Sequence, residues 1–260
     1  MKLALYQGPS PAGDVDHAFS VIETSVRRAV DAEADLVVFP ELFLPGYNVE
    51  AGMQEAAQPI DGPWIKTLSH VARGFRCSIV IGFAERERHY VYNSAAVLGG
   101  TGELLARYRK IQLYGPREQD LFRPGNVYAS FDWNGLKVGL LICYDVEFPE
   151  HVRAMRRMGA GLVVVPTANM MPHTYVSRYL IPARACENAI AIGYANYCGM
   201  ERDLTYVGNS VIASADANTV HMAGSEEETL LVGDMLSLVG DPALLSRQLE
   251  DLRAISIPMA

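Results

Sequence analysis

Cysteine is scarce in this chain: four residues in 260 (Cys77, Cys143, Cys186, Cys198), none in a C-x-x-C pair. That excludes a disulfide framework, and it leaves reduced, buried small side chains as the simplest reading of all but Cys143. Positive charge is also in deficit. With 22 Lys and Arg against 30 Asp and Glu, the formal net charge is −8. The basic pair Arg156-Arg157 falls in a helical pattern rather than a cluster, so no stripe exists for a phosphate backbone, and nucleic acid is not expected as a partner. No apolar run approaches the ~20 residues of a membrane span. The apolar stretch before Gln7 is too short for the core of a signal peptide, and the expected location is cytoplasmic. Long Pro/Gly/Ser stretches, blocks of like charge and repeats of fixed period are missing too, so nothing marks a linker. A single domain over 1–260 is the expectation, and with 50% apolar residues it can bury a large core.

Several catalytic signatures are absent as well. There is no H-E-x-x-H and no tight His/Cys grouping, which argues against a zinc hydrolase and against any metal. No G-x-S-x-G elbow supports a serine esterase, and no glycine-rich phosphate loop supports a nucleotide cofactor. His17, His70, His151 and His173 fall in helices or at their starts, and His89 and His221 in turns. None reads as a catalytic base.

What the chain has in abundance is buried strand. LALYQ (3–7), LVVFP (36–40), SIVIGFAE (78–85), VYNSAAVL (91–98), GLVVVPTAN (161–169) and AIAIGYAN (189–196) are apolar almost throughout. Between them lie helical stripes: Ala18, Ile22, Val26, Ala29 and Val30 behind an Asp14 N-cap, and Trp64, Leu68, Val71 and Phe75 after a Pro-containing start. GGTG (99–102) and Asn134-Gly135 signal hairpins. A helix is expected over FPEHVRAMRRMG, another from about Thr174 to Asn188, and a terminal one carrying Leu244, Leu245, Leu249 and Leu252. Strands apolar on both faces, mixed with hairpins, indicate an α/β fold whose sheets are covered by helices. Two such sheets packed face to face would satisfy every buried face, but periodicity alone does not select that arrangement.

Three polar residues stand at strand ends, where open α/β sheets present ligand sites. Glu41 follows LVVFP and precedes LFLPGY; taken alone it serves equally well as a capping or ion-paired residue. Lys110 closes LLARYRK, and alone it is an ordinary surface lysine. Cys143 ends LKVGLLIC and opens a turn into a helix starting near Pro149. Backbone N–H groups at such a turn hold a thiolate more readily than the interior of a strand does. Together they supply the parts of acyl transfer. Glu41 takes the thiol proton and later activates water. Lys110 and the Tyr144 N–H stabilise the tetrahedral oxyanion, where one donor contributes ~3–4 kcal/mol. Burial beside Glu41 raises the thiol and carboxyl pKa, and Lys110 opposes the rise.

These residues resemble the nitrilase superfamily of carbon–nitrogen hydrolases, which use a Glu-Lys-Cys set. The matching segments are DLVVFPELFLPGY, YNSAAVLGGTGELLARYRKIQLYG and GLLICYDVEFPEHVR, with RACENAIAIGYAN and VGNSVIASADAN similar to later strands. The resemblance implies a four-layer αββα sandwich of two mixed sheets, and a homodimer or higher even oligomer built partly by the helix HVRAMRRM. It also implies that Glu118, in YGPREQDLFRPG, holds Lys110 and orients substrate or water. Tyr47, Tyr114, Tyr144, Glu147 and Asn169 stand in loops beside the strand ends where relatives contact substrate, and each serves equally as scaffold. Arg184 and Glu187, at i, i+3, read as a structural ion pair. Phe19, Phe75 and the methionines read as core. The implied reaction is hydrolysis of a small non-peptide amide through a Cys thioester, with release of ammonia and no cofactor. Nitrile or N-carbamoyl amine hydrolysis by the same triad is the alternative. A silent binding subunit is a further one, which retention of all three residues disfavours.

Overall fold

The computed structural model describes residues 1–49 and 52–253. Its strands are β1 (Lys2–Gln7), β2 (Leu36–Val38), β3 (Ser78–Glu87), β4 (Tyr90–Leu98), β5 (Leu104–Arg109), β6 (Ala129–Trp133), β7 (Leu136–Leu140), β8 (Leu162–Pro166), β9 (Ala191–Ala195), β10 (Met200–Glu201), β11 (Leu204–Thr205), β12 (Val211–Ala213), β13 (Val220–Met222) and β14 (Thr229–Asp234). They form two six-stranded sheets, ordered β14-β1-β2-β3-β4-β5 and β13-β12-β9-β8-β7-β6, and the small pair β10-β11. In each large sheet three neighbouring strands are parallel, β1-β2-β3 and β7-β8-β9, and the outer pairings are antiparallel. The sheets share this pattern although no sequence repeat links them.

Alternation of side chains explains the layering. Leu3, Leu5, Leu36, Val38, Val80, Ala95 and Val97 pack in one cluster with the second sheet. Their neighbours Ala4, Val37, Ile79, Ile81 and Ala96 pack in another cluster with two helices, α1 (Val15–Asp31) and α3 (Pro63–Phe75). A strand buried on both faces must be apolar throughout, which is the pattern of LVV and SIVIGFA. The short α2 (Gly52–Ala56) and α4 (Gly115–Leu121) lie in loops. On the second sheet α5 (Pro149–Arg157) and α6 (Ile181–Asn188) form the other outer layer, completing the four-layer αββα sandwich.

Local signals act as expected at several points. Asp14 caps α1, its Oδ1 accepting from the His17 N–H at 2.9 Å. Asn134 and Gly135 take φ of +52° and +85°, the left-handed pair of a tight hairpin turn. Other expectations need correction. Val30 faces solvent, because it lies just off the stripe formed by Ala18, Ile22, Val26 and Ala29. The helix from Thr174 begins as a π turn (Val176–Leu180) before α6. Among the described residues the expected long terminal helix is not present: α7 (Met235–Leu238) and α8 (Gln248–Asp251) are the helices found there, and Leu244 and Leu252 are exposed. His221 lies in β13 rather than a turn. Met155, Met53 and Met235 are core, but Met158, Met171, Met200 and Met222 are exposed, and Phe19 and Phe75 only flank the core. No helix among the described residues is long and apolar enough to cross a membrane.

Candidate active site

The site forms where the C-terminal ends of the parallel strands of both sheets meet. After β2 the chain turns sharply, and Leu42 adopts φ of +49°. Glu41 is fully buried there; its N–H donates to the Thr167 carbonyl (3.3 Å) and its carbonyl accepts from the Tyr197 hydroxyl (2.9 Å). Gly82 of β3 makes this turn possible, since a Cβ there would lie 2.4 Å from the Leu42 nitrogen and 2.7 Å from the Glu41 Cα. Gly82→Ala is expected to push Glu41 out of register, lowering stability by about 1–3 kcal/mol. Turnover should fall by more than about tenfold, since small displacements of a catalytic group are costly. Thermal denaturation and rate assays read both, and wild-type turnover would show that the turn tolerates the shift.

Lys110 follows β5, and its N–H donates to the Asn93 carbonyl at 2.8 Å. The ammonium is fully buried, donating to Glu41 Oε1 at 2.6 Å and to Glu118 Oε1 at 2.8 Å. Burial opposes its charge, but Glu118 and Glu41 outweigh that and hold its pKa well above the ordinary lysine range. Glu118, in the first turn of α4, also accepts from the Tyr47 hydroxyl (2.7 Å) and the Tyr114 N–H (3.0 Å). The charged loop R-E-Q-D therefore turns Glu118 inward, behind Lys110.

Glu41 Oε1 accepts from Asn93 Nδ2 (2.6 Å) as well as from Lys110, whereas Oε2 is buried with no partner among the described residues. Burial raises the Glu41 pKa, Lys110 opposes, and Glu118 adds to the rise. Such an ion, desolvated and carrying one unused oxygen, is a poised proton acceptor.

Cys143 opens a 3₁₀ turn (Cys143–Glu147) just beyond β7, at φ of +46°. Held in this left-handed conformation, the thiol leaves the strand direction and faces Glu41 and Lys110 closely enough to feel both charges. Asp145 pins the turn by accepting from the Ile142 N–H (3.1 Å), the Gln112 N–H (2.7 Å) and the Tyr108 hydroxyl (2.8 Å). The expected rise of the thiol pKa beside Glu41, opposed by Lys110, is what the site's electrostatics give, and it outweighs any help from the turn N–H groups. Burial, then Glu41, push the thiol pKa well above 9.0, with Lys110 and the Thr167 hydroxyl only partly opposing. The turn N–H groups cannot compensate for lost water, so the thiol stays protonated until a base acts on it.

Above Cys143 lies a cavity of about 170 Å³. Tyr47, Tyr114, Tyr144, Glu147 and Asn169, all singled out from the sequence, line it together with Ala168, Met170, His173 and Tyr175. Its volume compares with cavities of about 150 Å³ that accept benzene. The sequence reading missed His173, whose Nε2 lies 3.1 Å from the Tyr114 hydroxyl. It also missed Asn93, Thr167 and Asp145. Thr167 follows a strand end, as Glu41 does, and Asn93 interrupts an apolar strand, so the signals were present. Arg184 does pair with Glu187 at 3.2 Å, and it also donates to the Glu147 carbonyl at 2.7 Å. Among the described residues, no group of three or more His, Cys, Asp or Glu is disposed to hold a metal ion.

A family model described as carbon-nitrogen hydrolase matches residues 2–240. The chain is 35% identical over 228 residues to an (R)-stereoselective amidase of a Pseudomonas species, covering 87% of this chain and 82% of that protein. It is 38% identical over 239 residues to a nitrilase of Pyrococcus abyssi, covering 90% and 89%. Its fold superposes, with a TM-score of 0.88 and 36% identity, on a mutant amidase from Nesterenkonia sp. bearing acrylamide added at its active site cysteine. That match covers 97% of this chain and 96% of the other.

Proposed function

The chain belongs to the carbon–nitrogen hydrolase family, and from that membership we propose that it hydrolyses small non-peptide amides through a thioester on Cys143, releasing ammonia. The observation that carries this reading is the unpartnered Oε2 of Glu41, buried beside a protonated thiol and a doubly paired lysine at the floor of one small cavity. Glu41 takes the thiol proton as sulfur bonds to the carbonyl carbon. The oxygen becomes an oxyanion between Lys110 and the Tyr144 N–H, which sits in the first turn of a helix, where N–H groups lack intrahelical acceptors. Glu41 returns the proton to nitrogen, the C–N bond breaks, and ammonia leaves. Water then gives a proton to Glu41 as its oxygen attacks the thioester, and the thiol is regenerated with the carboxylic acid. Glu118 keeps Lys110 charged and in place.

The same groups can act on a nitrile, but charge would then develop on a nitrogen that must be protonated along the C–N axis. Beyond Glu41 and Glu118, the acids near Cys143 among the described residues are Asp145, engaged in pinning the turn, and Glu147 on the cavity wall. Propionamide and benzamide are therefore expected to exceed propionitrile and benzonitrile in kcat/KM, read by ammonia release. A nitrile preferred by about tenfold, worth 1.36 kcal/mol in barrier, would overturn the amide assignment.

Assembly into a homodimer or higher even oligomer, in the cytoplasm, is part of this reading. In the helix proposed to take part in the interface Val152 and Met155 pack inside the chain, and Glu150, Arg153, Ala154, Arg157 and Met158 are what its open side offers a partner. Light scattering should give a multiple of the 28.5 kDa chain mass, and the monomer mass would refute the assembly.

A further inference from the structure

Glu147 is the one carboxylate on the cavity wall that the proposed chemistry does not use. It closes the 3₁₀ turn that Cys143 opens, so one short turn carries both the nucleophile and this carboxylate, and both line the same small cavity. A substrate held by its carbonyl at Cys143 in a cavity of about 170 Å³ has its acyl group within the walls that Glu147 helps to form. The Glu147 side chain is only partly buried and opens to the cavity. Among the described residues no hydrogen bond or ion pair reaches its carboxylate oxygens. The nearest cations are engaged elsewhere: Lys110 by Glu41 and Glu118, and Arg184 by the Val146 and Glu147 carbonyls and the Glu187 carboxylate.

The remaining walls suit the same kind of ligand. Tyr114 and Tyr144 meet edge to face at 5.2 Å, and Tyr175 continues the aromatic lining, so the wall is built of the rings that can attract a cation. Burial raises the Glu147 pKa, while Lys110 and Arg184 oppose the rise only in part. A bound positive charge would favour the ionised form. An anionic substrate would meet Glu147, and near it Glu41 and Glu118, while Lys110 and Arg184, the cations that act on Glu147, are already paired with other carboxylates.

We infer that Glu147 selects amides whose acyl group ends in an ammonium and rejects those ending in a carboxylate. This rests on the amidase reading for turnover, but not for binding. The test compares three amides of similar length: 4-aminobutanamide (cationic), pentanamide (neutral) and succinamate (anionic). For the wild-type enzyme kcat/KM should follow that order, with the cation exceeding the anion by about 100-fold, within the range of charge complementarity in partly desolvated sites. In Glu147→Gln the cation-to-neutral ratio should fall toward one, and in Glu147→Lys the order of cation and anion should reverse. A wild-type ratio of cation to anion below about tenfold would overturn the inference, as would a ratio unchanged in both variants. Calorimetric binding of the same three amides to Cys143→Ala, with and without Glu147→Gln, reads the preference without turnover. If no amide yields ammonia yet the cation binds tightest and loses that advantage in the double variant, the amidase reading fails and the inference stands. Equal affinities, or no binding of any of the three, overturn it.

Discussion

Cys143→Ala is expected to fold as wild type and to release ammonia at less than about a hundredth of the wild-type rate, since loss of a nucleophile removes the covalent route altogether. The backbone argument favours normal folding. Cysteine already occupies φ of +46°, and alanine meets the same Cβ clash there, so the substitution adds no strain. Removing Sγ leaves a space bordered by the cavity, and the turn stays fastened by the three bonds to Asp145. No other thiol can substitute. Cys77 and Cys198 are buried away from the cavity, their pKa values pushed up to about 12 and about 11 by burial, and Cys186 lies on α6 outside the cavity lining. Circular dichroism and the Tm test the fold, and an ammonia assay tests the chemistry. Turnover above about a hundredth of wild type would move the nucleophile elsewhere.

How far the site could be read from sequence follows from which interactions are local. Glu41, Lys110 and Cys143 each sit just beyond a strand that is legible by itself, and the C-terminal ends of strands that run the same way share an edge of the sheet, as β2 and β5 do. The five cavity residues came from the family resemblance, which pointed to the loops beside those strand ends. Asp14 and Asn134-Gly135 announce a cap and a turn through their own side chains and backbone. Less legible was anything decided by a distant partner. Asn93 stands out as a polar residue in an apolar strand, but its partner does not, because folding alone brings its amide to Glu41, 52 positions away. Val152 and Met155 show the same stripe whether they face a core or a partner subunit, and only the placement of the second sheet makes them core. The terminal leucines have helical spacing, but no sheet face remains for them to cover, and an amphipathic pattern without a surface to pack on does not sustain a helix. The direction of the Cys143 shift was legible once Glu41 was placed beside it, because desolvation next to a carboxylate disfavours a thiolate.

The carboxylate at position 41 should show itself in rate, in a trapped intermediate and in pH dependence at once. Glu41→Gln retains an oxygen able to accept from Lys110 and Asn93. Lys110 also keeps Glu118 at 2.8 Å, so no buried ammonium is orphaned and the fold should survive. What is lost is the ionised oxygen that takes the thiol proton and later the proton of water. A loss of ~10²–10⁴-fold in kcat is expected. An activated ester, whose leaving group needs no proton, should still acylate the thiol slowly and then persist as an adduct on Cys143 that mass spectrometry detects. The sign of the pH effect follows from the working form. Ionised Glu41 is active and burial raises its pKa, so wild-type kcat/KM should fall as pH is lowered through a value above the ordinary 4.5 of glutamate. Lys110, held well above 10.5, adds no loss on the alkaline side near neutrality, and the raised thiol adds no thiolate-driven gain below 9.0. The glutamine variant should lack that acid limb while keeping its residual rate. A limb of unchanged position in the variant, or wild-type rates, would assign the proton transfer to another group, with Glu118 next in line because it shares Lys110.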